Sequence, residues 1–165
     1  MTWLGQQEKT LFIGQAVEYA GTALYNTLKD VPLEKRLELP VFENTQMGMT
    51  LGLSMNGIIP VSIFPRWNFL LCAMDQLVNH ADRLLPYSGY QHRYIIRTAV
   101  GSEVPLWPSY QHIGNMSKGL REILMNIDII ELYKPEDIFD SYKKAYERND
   151  GKSTIISEFG DLYAK

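Results

Sequence analysis

Few side chains of this 165-residue chain have the type and spacing that a catalytic or metal site needs. The three histidines, His80, His92 and His112, are scattered and form no metal-binding spacing. The single cysteine, Cys72, rules out an internal disulfide and any zinc site built on paired cysteines. The run Gly151-Lys152-Ser153 superficially resembles a phosphate-binding loop, but it precedes a predicted strand and lacks the first glycine.

Two other common motifs are also missing. The sequence has no G-x-G-x-x-G dinucleotide fingerprint, and residues 52–57, Gly-Leu-Ser-Met-Asn-Gly, miss the G-x-S-x-G nucleophile elbow by one residue. Phosphate, nicotinamide, zinc and serine-hydrolase chemistry are therefore poorly supported by local motifs.

Composition indicates one globular domain, residues 1–165. Hydrophobic residues make up 45% and charged residues 21% of the chain, which is typical of folded proteins. The net charge of −3 argues against a nucleic-acid binder. No apolar run approaches the roughly 20 residues that span a bilayer, and the N-terminus lacks a signal-peptide pattern. We expect a cytoplasmic protein with no membrane segment.

Short apolar runs alternate with longer helical stretches along the chain. This alternation predicts an α/β fold in which a mostly parallel six-stranded sheet is covered by helices on both faces. The predicted strands are 10–13, 36–41, 58–64, 94–98, 127–133 and 153–157. The predicted helices are 16–28, 46–55, 69–85, 117–125 and 135–148.

Two of these helices carry more apolar surface than one sheet face requires. Apolar residues wrap most of the way round helix 69–85, and Gly48 and Gly52 flatten one face of helix 46–55. Dense packing within the chain and a subunit interface explain this pattern equally well.

Residues 39–52, Leu-Pro-Val-Phe-Glu-Asn-Thr-Gln-Met-Gly-Met-Thr-Leu-Gly, resemble the pyrimidine-binding domain of transketolase-type thiamine-diphosphate enzymes. The resemblance is greatest to the beta subunits of 2-oxo-acid dehydrogenases, of the pyruvate dehydrogenase type. Further similar segments follow in the family's order over almost the whole chain, above all Ala73-Met74-Asp75-Gln76-Leu77-Val78-Asn79-His80, then 87–89, 96–98 and 110–112.

The resemblance implies a role for three residues. Glu43 would hydrogen-bond the aminopyrimidine of the cofactor and so activate it, Phe69 would stack on that ring, and His112 would assist proton transfer or hold a substrate carboxylate or phosphate. Without the resemblance, each has an ordinary alternative: a solvated glutamate, a core phenylalanine and an exposed loop histidine. The apolar run 39–42 is consistent with an apolar setting for the Glu43 carboxyl group.

The sequence departs from the family at several positions. Pro65 and Arg66 replace a glutamine and an aromatic residue, Gln15 and Ala16 stand where acidic residues are common, and the loop 101–108 is poor in glycine. An arginine near a cationic thiazolium is unfavourable unless it turns away or binds an anionic substrate. Arg66 is counted with Glu43 and Phe69 among the cofactor-binding candidates.

Two absences imply a partner. The family binds diphosphate and magnesium through a Gly-Asp-Gly motif in a separate domain, and this sequence has no such motif and no counterpart of the beta subunits' C-terminal domain. We therefore expect a split thiamine-diphosphate enzyme. A separate diphosphate-binding subunit would supply the magnesium, the assembly would be a homo- or hetero-oligomer, and the substrate would be a 2-oxo acid or a ketose phosphate.

Two other interpretations remain. A non-catalytic relative could keep the fold for subunit assembly or regulation, which Arg66 and the altered loop favour and Glu43 opposes. An unrelated flavodoxin-like or nucleotide-binding domain fits the alternation of strands and helices, but it leaves the ordered motifs unexplained.

Overall fold

The computed structural model describes residues 1–102 and 107–162. Its centre is a six-stranded sheet in which every pair of neighbouring strands is parallel. The strand order is β2-β1-β3-β4-β6-β5, which confirms the predicted parallel sheet. The strands are β1 Thr10–Gly14, β2 Arg36–Glu38, β3 Ile59–Ile63, β4 Ile95–Val100, β5 Ile127–Leu132 and β6 Ser153–Phe159.

Helices cover both faces of the sheet. They are α1 Thr2–Gly5, α2 Ala23–Asn26, α3 Glu43–Met55, α4 Trp67–Leu71, α5 Leu84–Ser88, α6 Ser117–Ile123 and α7 Glu136–Glu147. Neighbouring strand residues point to opposite faces, so Ile95 belongs to one apolar core with α1, α2 and α7, and Ile96 to a second core with α3, α4 and α6. The predicted three-layer arrangement is therefore confirmed.

The predicted helix 16–28 is largely wrong, because only Ala23–Asn26 is helical. The carboxylate of Glu38 accepts hydrogen bonds from the backbone N–H groups of Ala16, Val17 and Glu18, at 2.9, 2.6 and 2.8 Å. Ala16 has a φ of 60°. Successive N–H groups that surround one anion form a nest, and this nest replaces the first helical turns.

The predicted continuous helix 69–85 is divided into three pieces. Helix α4 ends at Leu71, a π-helical segment runs over Asp75–Ala81, and α5 begins at Leu84. The buried side of this stretch packs in the second core, while Leu71 and Cys72 are exposed. The excess apolar surface is therefore only partly used within the described chain.

Two boundaries near Glu43 also differ from the prediction. Strand β2 ends at Glu38 and not at residue 41, because its partner β1 ends at Gly14, whose carbonyl accepts the last bond of the ladder from the Leu39 N–H. Helix α3 begins at Glu43 and not at residue 46. Glu43 is therefore the first residue of a helix, not the end of a strand.

None of the helices that the structure describes could cross a bilayer. Helix α3 has 13 residues, whereas a span needs about 20.

Candidate functional site

The predicted site residues lie at the carboxyl edge of the sheet, where all six parallel strands end. The strand order turns back at β1, whose neighbours are β2 and β3. In open parallel sheets, ligands bind at the carboxyl edge beside such a switch point. Gln15 follows β1 there, Arg66 follows β3, and Gly101 follows β4.

Gly14 shapes the first part of this edge. Its φ of 129° suits glycine, and a Cβ atom at this position would overlap the carbonyl oxygen of Ile63. The chain therefore leaves β1 close against β3, and the N–H of Gln15 donates to the Ile63 carbonyl at 3.2 Å. This fixed exit directs the Gln15 side chain toward helix α3.

Glu43 is held where Gln15 meets the start of α3. Its side chain is buried, with 8% of the residue exposed, and Gln15 Nε2 donates to Glu43 Oε1 at 3.3 Å. Oε2 has no hydrogen-bond partner within residues 1–102 and 107–162. The expected apolar wall is not found, because Val41 and Phe42 are each 66% exposed.

A buried polar network supports α3 one turn further on. Gln46 Nε2 donates to Ser62 Oγ at 3.1 Å and to the Ile63 carbonyl at 2.9 Å. The Thr50 hydroxyl lies 2.8 Å from Ser62 Oγ. Because both ends of the network are buried, breaking it would leave unpaired polar groups. The helix that carries Glu43 is therefore fixed to β3. Sequence reasoning missed Gln46, and no motif marks it.

Phe69 and His112 meet across the edge. The two rings are nearly parallel, with 5.7 Å between centroids and 10° between planes. Phe69 lies in α4 and His112 in a 3₁₀ turn, Tyr110–His112. One face of the Phe69 ring is thus covered by the imidazole of His112 in this structure. An aromatic ligand would use the other face or displace His112.

Arg66 belongs to the same cluster as Phe69 and His112. Its Nη1 atom lies 3.4 Å from the His112 carbonyl, and its side chain is half-buried. Burial lowers the pKa of the Arg66 guanidinium below its ordinary value, because the charged form loses hydration. Gly101 makes room for this contact, since a Cβ atom there would lie 2.7 Å from Arg66 Nη1. The rest of the predicted loop, 103–106, falls outside the described residues.

The structure therefore places the four predicted residues in two groups. Arg66, Phe69 and His112 form one cluster, while the hydrogen bond of Glu43 goes to Gln15. Both groups lie on the same edge, beside the adjacent strands β1, β3 and β4. Gln15 could have been anticipated as the first residue after a strand that ends in glycine.

Several buried polar atoms at this edge have no partner among the described residues. They are Gln46 Oε1, Asn68 Oδ1 and His112 Nδ1. Gln46 Oε1 and Asn68 Oδ1 are acceptors. Buried acceptors without donors are uncommon in folded proteins, and a heterocycle with N–H donors is one group that would satisfy these two. Together with the Glu43 carboxyl and the Phe69 ring, they fit an aminopyrimidine.

The described part of the chain shows no group of acidic, cysteine or histidine residues that could hold a metal ion.

The fold is that of thiamin diphosphate-dependent enzymes. The chain superposes with a TM-score of 0.65 on a protein described as a thiamin diphosphate-dependent enzyme from Mycobacterium smegmatis, at 15% identity over 94% of this chain and 28% of that one. It superposes equally well on a split-gene transketolase described as an inactive β4 tetramer, at 18% identity over 96% of this chain and 47% of that one.

The sequence is similar to pyruvate dehydrogenase E1 beta subunits. The subunit of Gracilaria tenuistipitata var. liui is 32% identical over 99 residues, which cover 56% of this chain and 30% of that protein. The subunit of Rhizobium meliloti (strain 1021) is 30% identical over 87 residues, 51% of this chain and 19% of that protein. No protein-family model matches. The chain thus spans under a third of these relatives, and the resemblance predicted from the motifs is confirmed.

Proposed function

We propose that this chain is the pyrimidine-binding subunit of a split thiamine-diphosphate enzyme. The observation that carries the proposal is the Glu43 carboxyl group, buried at the switch point of the sheet with Oε2 free of described partners. The fold is shared with thiamin diphosphate-dependent enzymes. Bound thiamine diphosphate supplies a nucleophilic carbon and an electron sink for making or breaking a carbon–carbon bond beside a carbonyl.

Each residue has a distinct part in this proposal. The Glu43 carboxyl group shares a proton with the aminopyrimidine, and Gln15 holds it in place through Oε1. Phe69 stacks on the ring. His112 moves a proton to or from the substrate, which is a 2-oxo acid or a ketose phosphate.

The proposal places the magnesium and the diphosphate on a second subunit; the described residues of this chain include no group of acidic, cysteine or histidine side chains that could hold a metal ion. A diphosphate-binding chain would supply magnesium and complete an oligomeric site at the interface. A split-gene transketolase among the structures of the same fold is consistent with such a division. The assembly would work in the cytoplasm as a transferase or as the decarboxylating component of an oxidoreductase.

The test is an activity assay of the chain co-expressed with a candidate diphosphate-domain protein. Thiamine diphosphate and magnesium are added, and the consumption of 2-oxo acids and ketose phosphates is followed. Glu43→Gln keeps the shape of the side chain but removes its acid. We expect turnover to fall roughly 10²–10⁴-fold, as for a lost general acid or base, while the complex still assembles.

The matched control is Glu122→Gln, because Glu122 is exposed on α6. This variant should turn over like the wild type. Unchanged turnover in Glu43→Gln would refute the role of Glu43. A stable complex that binds no cofactor would instead support the non-catalytic relative, a role that the occupied face of Phe69 favours.

A further inference from the structure

Arg66, like Arg36 and Arg93, has no carboxylate partner among the described residues, but Arg36 and Arg93 each lie over a tyrosine ring and Arg66 lies at the carboxyl edge of the sheet. Arg97, Arg121 and Arg148 each hold a carboxylate oxygen at 2.7 or 2.8 Å. The hydrogen bond of Arg66 to the His112 carbonyl is long, at 3.4 Å. A guanidinium has five N–H donors, so most of its hydrogen-bonding capacity is unused by the described residues.

Three features of the surroundings of Arg66 fit an anion-binding site. The guanidinium is half-buried, and burial without a compensating anion lowers its pKa. His112 Nδ1 is buried and has no partner within the described part of the chain. Gly101 lets the chain pass close to both groups, since a Cβ atom there would lie 2.0 Å from the His112 carbonyl oxygen and 2.7 Å from Arg66 Nη1. A partly dehydrated cation and an unsatisfied imidazole nitrogen thus lie in one cluster.

We propose that Arg66 is the anion receptor of this site and binds a carboxylate or phosphate group of the substrate. Planar guanidinium groups bind these oxyanions through two parallel hydrogen bonds. The hydrogen bonds and the charge of a bound anion would compensate Arg66 for the hydration that burial removes. His112 Nδ1 could donate a second hydrogen bond to the anion in the tautomer that carries a hydrogen on Nδ1. This assignment rests on the proposed function and moves Arg66 from the cofactor to the substrate.

The test is a titration of the full chain followed by nitrogen-15 NMR, without cofactor or partner. One arm adds inorganic phosphate and the other adds pyruvate, both at constant ionic strength. We expect saturable shifts at the Arg66 Nε–H and the His112 ring. The arm that saturates at lower concentration identifies the preferred anion, phosphate or carboxylate.

The variants give the size of the effect. Arg66→Gln should weaken binding by about tenfold or more, because a hydrogen bond to a charged group is lost, and Arg66→Lys should retain part of the affinity. Arg121→Gln is the matched control, since it removes an arginine charge from α6, and it should bind like the wild type. Equal binding by Arg66→Gln and the wild type would overturn the proposal.

The titration of the wild-type chain tests the assignment of Arg66 even without the variants. Shifts that do not saturate, or that fall on residues other than Arg66 and His112, would overturn the assignment even if Arg66→Gln fails to fold. Because the titration needs neither thiamine diphosphate nor a partner, its outcome is independent of the assay that tests the proposed function.

Discussion

His92 illustrates how burial determines the charge of one side chain. The ring is 1% exposed; Nε2 lies 2.8 Å from the Ala81 carbonyl and Nδ1 lies 3.3 Å from Ser153 Oγ. Burial lowers the pKa of His92 below 6.5, although the Ala81 carbonyl and the Asp82 carboxylate partly oppose this. The neutral ring therefore donates to Ala81 and accepts from Ser153, and it is a structural residue of the core.

The lowered pKa predicts a pH dependence of stability. Between the folded-state pKa and 6.5, the unfolded chain binds more protons at His92 than the folded chain does. Stability is therefore complete above pH 6.5 and falls as the pH drops below it, by up to about 1.4 kcal/mol per pH unit. Urea unfolding of the wild type and His92→Gln across this range should show the slope reduced in the variant. An exposed-histidine control, His80→Gln, should keep the wild-type slope.

At the scale of elements, the exit from β1 determines where the candidate site lies. Gly14 has a φ of 129°, and its Cα lies against the β3 backbone, so that Gln15 reaches Glu43. Gly57 has a φ of 84°, but a Cβ atom there would meet open space. Both glycines have a positive φ, but only at Gly14 would a Cβ atom also clash with a neighbouring strand.

Alanine at these positions should therefore have different costs. Gly57→Ala should lower the unfolding free energy by about 1–2 kcal/mol, because alanine is strained at a positive φ. Gly14→Ala should lose roughly 1–3 kcal/mol more, because its Cβ meets the immovable carbonyl of Ile63. Urea unfolding of both variants measures the difference. Equal losses would mean that β1 can shift away from β3.

At the scale of the whole molecule, a buried cluster joins the sheet to two helical regions. Arg97 of β4 donates to Glu158 of β6 through Nε at 3.0 Å and Nη2 at 2.7 Å. The Tyr142 hydroxyl of α7 donates to Glu158 at 2.5 Å, and Thr27, just after α2, accepts from Arg97 at 2.7 Å. Burial raises the pKa of Tyr142 well above 10, so its hydroxyl keeps the proton that it donates.

Removal of one charge from this cluster should be costly. Glu158→Ala would leave Arg97 buried without its carboxylate, and we expect a loss of about 3–5 kcal/mol. The double variant Arg97→Met with Glu158→Leu should recover much of that loss, since the two buried charges are removed together. Thermal and urea unfolding measure both effects.

An exposed ion pair is the control for the buried cluster. Lys143→Ala breaks the pair with Glu147 on α7 and should cost less than about 1 kcal/mol. A loss for Glu158→Ala as small as that of Lys143→Ala would show that the cluster is solvated in solution.

Most of the strands and helices could be predicted from the sequence, because their apolar residues follow local patterns. Each of the six apolar runs became a strand, and the helix at 135–148 formed over Glu136–Glu147. The prediction of helix 16–28 was wrong because the Glu38 carboxylate binds the N–H groups at its start. Glu38 lies about twenty residues away, so no local pattern indicates this contact. The division of helix 69–85 was likewise not visible in its apolar pattern.

The sequence by itself determined the parallel sheet, the resemblance to thiamine-diphosphate enzymes and the choice of Glu43, Phe69, His112 and Arg66 as candidates. Only the tertiary structure decided that Glu43 is held by Gln15, that His112 stacks on Phe69 and that Arg66 lacks a carboxylate partner in the described chain. The physical reason is range. Periodicity reports which face of an element is buried, whereas these contacts join residues 28 to 46 positions apart and depend on where several strands end together.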